Sequence, residues 1–96
     1  MTSKDRAYLR SLATNIDPIF QIGKGGLSDN LIKQVDDALE ARELIKITVL
    51  ENAQENPDEF AAALASKTNS SVVQVMGRKI TLYRKKAKES KININV

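Results

Sequence analysis

Apolar residues recur at spacings of three and four near the start of the chain, at Leu9, Leu12, Ala13 and Ile16. That period predicts an amphipathic helix over about residues 4–14, with Thr2 or Ser3 as its N-cap. Asp17-Pro18 stops it, because the residue before a proline is driven out of helical backbone. Residues 18–22, Pro-Ile-Phe-Gln-Ile, read as a short strand with Pro18 tolerated only at its start. After a glycine-rich corner, Ser28 caps a second helix in which Leu31, Ile32, Val35 and Leu39 hold the helical period to about Arg42. Residues 44–50, Leu-Ile-Lys-Ile-Thr-Val-Leu, alternate and are rich in β-branched side chains, so they read as a strand. Asn56 caps a third helix with Pro57 at its first position, and Asp58 and Glu59 suit the positive end of its dipole. Phe60, Ala61, Leu64 and Ala65 form its buried stripe. Residues 71–76 and 79–84 predict a hairpin turning at Gly77-Arg78.

The element order is therefore α-β-α-β-α-β-β. Strand–helix–strand crossovers imply parallel neighbours, and the hairpin makes the last strand antiparallel. Alternation places Phe20, Ile22, Ile45, Ile47, Val49, Val73, Val75, Ile80 and Leu82 on one face, beneath the helices. Gln21, Lys46, Thr48, Gln74, Met76, Lys79, Thr81 and Tyr83 fall on the other, which is too polar to lie under an apolar layer. The expected fold is an α/β two-layer sandwich, a four-stranded mixed sheet with its helices on one face. Residues 1–86 form a single domain, and residues 87–96 are expected to be a flexible basic tail.

Charge changes the picture more than overall composition does. The net charge is only +3, but residues 26–65 carry nine acidic against three basic side chains, and residues 66–96 carry eight basic against one acidic. A chain so divided is suited to present a basic face to a polyanion. Cysteine and histidine are both absent, which excludes disulfides and removes the commonest general base and metal ligand. No apolar stretch approaches the roughly 20 residues of a membrane span, and the first residues lead into charges rather than an apolar signal core. The expected location is the cytoplasm.

The corner at residues 21–30, Gln-Ile-Gly-Lys-Gly-Gly-Leu-Ser-Asp-Asn, holds three glycines and a lysine. A dinucleotide fingerprint starting at Gly23 needs glycine where Ser28 stands, and the Walker pattern needs a lysine and a hydroxyl after the last glycine. What remains is G-x-x-G, Gly23-Lys24-Gly25-Gly26, opening onto a helix N-terminus. Missing side chains let a sugar–phosphate backbone approach closely, free N–H groups of the first helical turn favour anionic oxygen, and Lys24 adds a mobile charge. A tight strand-to-helix turn that binds nothing accounts for the same four residues. Further cations favour binding: Arg6 and Arg10 stand four apart on the first helix with Lys4 on its other flank, and Arg78, Lys79, Arg84, Lys85, Lys86, Lys88 and Lys91 crowd the end of the chain. Phe20 and Phe60 read as core; Tyr83 falls on the open face where it could stack on a base, but one ring is a poor stacking platform. Shape and backbone recognition of structured RNA is the better reading. An enzyme is not expected: Asp36 and Asp37 diverge by about 100° on a helix, and Ser28 reads as a cap. Neither cofactor nor metal is expected. The competing reading is a protein-interaction adaptor whose acidic helices meet a basic ribosomal protein.

Four blocks in order, Leu9 to Ala13, Pro18 to Ser28, Ala41 to Leu50 and Ser71 to Arg84, resemble the CRM domain (chloroplast RNA splicing and ribosome maturation), in particular its stand-alone bacterial YhbY-like members. The likeness covers about residues 2–86. It implies a fold like the C-terminal domain of bacterial translation initiation factor three. It also implies RNA binding and association with large-subunit precursor rRNA. A monomer is expected. By position, the resemblance assigns the loop to Gly23, Lys24, Gly25 and Gly26, with Leu27 anchoring the next helix, and its basic partners to Arg6, Arg10 and Arg84. Thr14 departs from the pattern, standing where many relatives have histidine.

Overall fold

The computed structural model describes residues 2–86. Its elements are α1 (Ser3–Ala13), β1 (Phe20–Ile22), α2 (Asp29–Arg42), β2 (Leu44–Val49), α3 (Pro57–Thr68), β3 (Ser71–Met76) and β4 (Lys79–Tyr83). The expected tail, residues 87–96, lies outside the described residues. Each helix starts where a short polar side chain takes an otherwise unpaired N–H. Thr2 and Asp5 form a reciprocal capping box on α1, with Asp5 N–H donating to Thr2 Oγ1 at 3.1 Å. Ser28 Oγ accepts from Leu31 N–H at 3.1 Å on α2, and Asn56 Oδ1 accepts from Glu59 N–H at 2.9 Å on α3. Both α2 and α3 end at a positive φ, Glu43 at 68° and Asn69 at 53°.

The sheet order is β1-β2-β4-β3. β1 and β2 are parallel, as the crossover rule implies, with Phe20 opposite Ile47 and Ile22 opposite Val49. β2 and β3 are not neighbours. β4 inserts between them, antiparallel to both. Burial explains the choice: every residue from Ile80 to Tyr83 is buried, which only a central strand can achieve, whereas β3 begins and ends on exposed residues and suits an edge. Gly77 supplies the positive φ (58°) at the first position of the two-residue turn, where a right-twisted hairpin needs it.

The helices divide between the two faces of the sheet, which corrects the expectation that all three share one. α2 and α3 cover Ile22, Ile45, Ile47, Val49, Ile80 and Leu82 with Val35, Leu39, Phe60 and Leu64. α1 packs on the reverse face, where Leu9 and Ala13 meet Leu44, Val73 and Tyr83. Strict alternation fails at a β-bulge: the register shifts between Val72 and Gln74, so Val73 turns to the α1 side while Val72 and Val75 stay against the main core. Tyr83, expected to be open for stacking, is only 2% exposed beneath α1. Its hydroxyl has no hydrogen-bond partner among the described residues. Burial, with the carboxylates of Glu43 and Asp5 adding to it, holds the Tyr83 pKa above the usual tyrosine value of 10.0. The reverse face is thus half covered, and the half that remains open carries Gln21, Lys46, Thr48, Gln74, Met76 and Lys79.

Candidate nucleic-acid interface

The glycine corner is a hydrogen-bonded turn at the end of edge strand β1, Gly26 N–H donating to Gly23 C=O at 3.0 Å. Lys24 and Gly25 form its exposed tip. Its glycines are not equivalent. Gly26 has φ of 64°, which L side chains rarely adopt, so the turn itself requires glycine there. A Cβ on Gly23 would sit 3.4 Å from Leu50 Cδ1, an ordinary contact. Gly25 has no positive φ, and a Cβ there would meet nothing within 4 Å. The fold makes no demand for glycine at position 25. Beyond the turn, Ser28 already occupies one N–H of α2 and Asp29 places a carboxylate in its first turn, so the helix end is partly satisfied from within.

Lys24 is exposed and forms no ion pair with any described residue. Lys79 lies two residue rows before Gly23, since Gln21 is level with Thr48, which opposes Lys79, and Ile22, level with Val49, is the row between. Lys46, opposite Thr81, extends the same open strip and was not singled out as a site from sequence. The alternation that put it on the polar face was the available signal. Arg78 brackets this end of the sheet: its Nε donates to Val49 C=O at 2.7 Å and a terminal nitrogen donates to Leu50 C=O. Lys4, Arg6 and Arg10 are exposed on α1, on the same side of the sheet as Lys46 and Lys79, but their helix is anchored over Leu44 and Tyr83 at the far end from the corner. Tyr8, 45% exposed, lies four residues from Lys4 and is the aromatic that the surface offers in place of Tyr83.

Arg84 is the one predicted site cation that is ion-paired with described carboxylates, whereas Arg78 is held by backbone carbonyls alone. One terminal nitrogen donates to Asp36 Oδ1 at 2.6 Å and to Thr68 C=O at 2.7 Å. The other donates to Asp36 C=O at 3.0 Å and approaches Glu40 Oε2 at 3.4 Å. These contacts tie the end of β4 to α2 and α3. They also engage acids of α2 that the adaptor reading needed free, as does the Lys33–Asp37 pair at 3.5 Å. Lys85 is exposed beyond Arg84. Among the described residues, no helix is long and apolar enough to cross a membrane.

"Probable RNA-binding protein YqeI" of Bacillus subtilis is 50% identical over 91 residues, covering 95% of this chain and 94% of that protein. "Probable RNA-binding protein MJ0652" of Methanocaldococcus jannaschii is 40% identical over 86 residues, 88% of this chain and 63% of its own length. The solution structure of SAV1595 from Staphylococcus aureus superposes with a TM-score of 0.83 at 52% identity, covering 99% of each chain. The CRS1/YhbY (CRM) domain model matches residues 1–84. On that match, which takes in all three helices and all four strands, the chain belongs to the CRS1/YhbY (CRM) domain family.

Proposed function

We propose that this protein is an RNA-binding factor of ribosome assembly that grips the backbone of large-subunit precursor rRNA at the Gly23–Gly26 corner. The observation that carries this reading is Gly25: an exposed position where the fold tolerates a side chain and the chain has none, beside a Lys24 without an ionic partner among the described residues. A missing Cβ that folding does not require is explained by a ligand that must come close. Lys79 and Lys46 continue the path along the open half of the sheet toward Arg6, Arg10 and Lys4 on α1, and Arg78 and Lys85 add charge at its ends. Arg84 acts here as a structural tie. The family resemblance supports the ribosomal assignment, the relatives' names support RNA as the partner, and the working form is a cytoplasmic monomer without cofactor, a binder rather than a catalyst.

The test is RNA binding over a salt series. Each phosphate neutralised on a single strand contributes about −0.7 to the log–log slope. Lys24→Ala is expected to weaken binding and make the slope shallower by about that amount. Unchanged affinity and slope in the folded variant would remove the corner from the interface. Crosslinking to RNA in cell extract, followed by sequencing, is expected to recover large-subunit precursor fragments, and their absence would overturn the ribosomal assignment.

A further inference from the structure

A cleft of about 290 Å³ opens beside the corner. It lies at the lower edge of the roughly 300–1,000 Å³ typical of ligand pockets, so it suits one planar base rather than a larger ligand. Its walls have a definite polarity. Phe60 and Ala63 of α3 give an apolar floor, with Phe60 Cε1 3.9 Å from where a Gly26 Cβ would stand. Lys24, Gln54 and Glu55 form the rim.

Glu55 is the informative residue. It is exposed, lines the same cleft as Lys24, and yet forms no ion pair with it or with any other described residue. An unneutralised carboxylate at the edge of a polyanion site repels phosphate, and it becomes favourable only when the ligand brings N–H donors to it. Among the four RNA bases, guanine alone presents two adjacent donors on its Watson–Crick edge, N1–H and the N2 amino group. These match the two oxygens of a carboxylate. Adenine and cytosine each offer one donor beside a ring acceptor, and the single N–H of uracil is flanked by two carbonyls.

Resting on the RNA-binding reading above, we propose that this cleft takes one unstacked guanine, whose N1–H and N2 amino group donate to the Glu55 carboxylate while its ring lies over Phe60 and Ala63. Lys24 then meets a neighbouring phosphate. The corner thereby selects a base as well as gripping a backbone.

Nine-nucleotide oligouridines with a central guanosine, inosine or adenosine, titrated against the full chain at fixed salt, provide the test. The guanosine oligomer is expected to bind about tenfold tighter than the adenosine one, with inosine between them because it keeps N1–H and lacks the amino group. Glu55→Gln, a near-isosteric change at an exposed position, is expected to bring the guanosine and adenosine affinities within about twofold of each other. A wild-type ratio already within twofold, or a preference that survives Glu55→Gln, overturns the guanine assignment. If binding is base-indifferent but still weakened by Lys24→Ala, only this inference fails. Binding that Lys24→Ala leaves untouched overturns the backbone reading as well.

Discussion

At the end of β4, Arg84 is 19% exposed and directs both terminal nitrogens into α2 and α3; at the corner after β1, Lys24 stands in solvent with no ionic partner among the described residues. Both are single cations next to a strand end, and from charge alone they are interchangeable. Their surroundings separate them. Arg84 satisfies acceptors that would otherwise face one another unneutralised, whereas Lys24 satisfies none among the described residues. A cation already held by two carboxylates and two carbonyls is a poor phosphate ligand, since binding must first break those contacts. On the proposed function, availability rather than number separates the charges that hold this fold from those left for RNA.

The largest effect is expected where the charge is structural. Arg84→Ala removes hydrogen bonds to Asp36 and to the Thr68 carbonyl, and a loss of about 2 kcal/mol in denaturant unfolding is expected, moderated by the exposure of the two acids. RNA affinity of the folded variant stays within about twofold, and a larger drop would erase the contrast with Lys24. Lys24→Ala reverses the pattern: stability holds within about 0.5 kcal/mol while RNA affinity falls about fivefold. Gly25→Ala sharpens it further. The methyl group meets nothing in the fold, so stability is unchanged or rises by up to about 1 kcal/mol through reduced freedom of the unfolded chain. RNA affinity falls all the same, and equal affinity in this variant would show that nothing approaches the tip. Gly26→Val is the poorer probe, because the positive φ makes it destabilising in its own right.

The smallest effect concerns Tyr83. Its folded-state pKa is raised above the unfolded value of 10.0, so its contribution to stability is complete below about pH 10 and is lost as pH climbs through the folded value. Tyr83→Phe removes this titration and a buried hydroxyl without a described partner. The variant is expected to be about as stable as wild type at pH 7 and to lose less stability between pH 9 and pH 11, measured by urea unfolding. A parallel decline in the two proteins would show that the phenol is not protected from ionising.

The local elements and the corner were legible in the chain because each rests on short-range chemistry. Thr2, Ser28 and Asn56 cap the helices at the expected places, and β1 to β4 lie inside the expected strands, apart from small shifts at their ends. What alternation could not reveal was the side of the sheet that α1 takes. Leu44 and Tyr83 are apolar on the reverse face, but a bulge at Val73 completes that second core, and a bulge leaves no periodic trace. The engagement of Arg84 was equally hidden, because its carboxylate partners lie 48 and 44 residues away in sequence. Conversely, Lys46 stood in plain view on the polar face and gained meaning only when α1 was found to leave that half of the sheet uncovered.

The bulge in β3 also bears on how copies of this protein behave toward one another. β3 is one of the two edge strands, the longer one, and an unbroken row of outward N–H and C=O groups there would be a template for another chain. One surplus residue in its middle puts that row out of step, so a second molecule cannot continue the ladder along its length. Self-association through this margin is thereby discouraged without a single added charge, leaving the cations of the molecule for other partners.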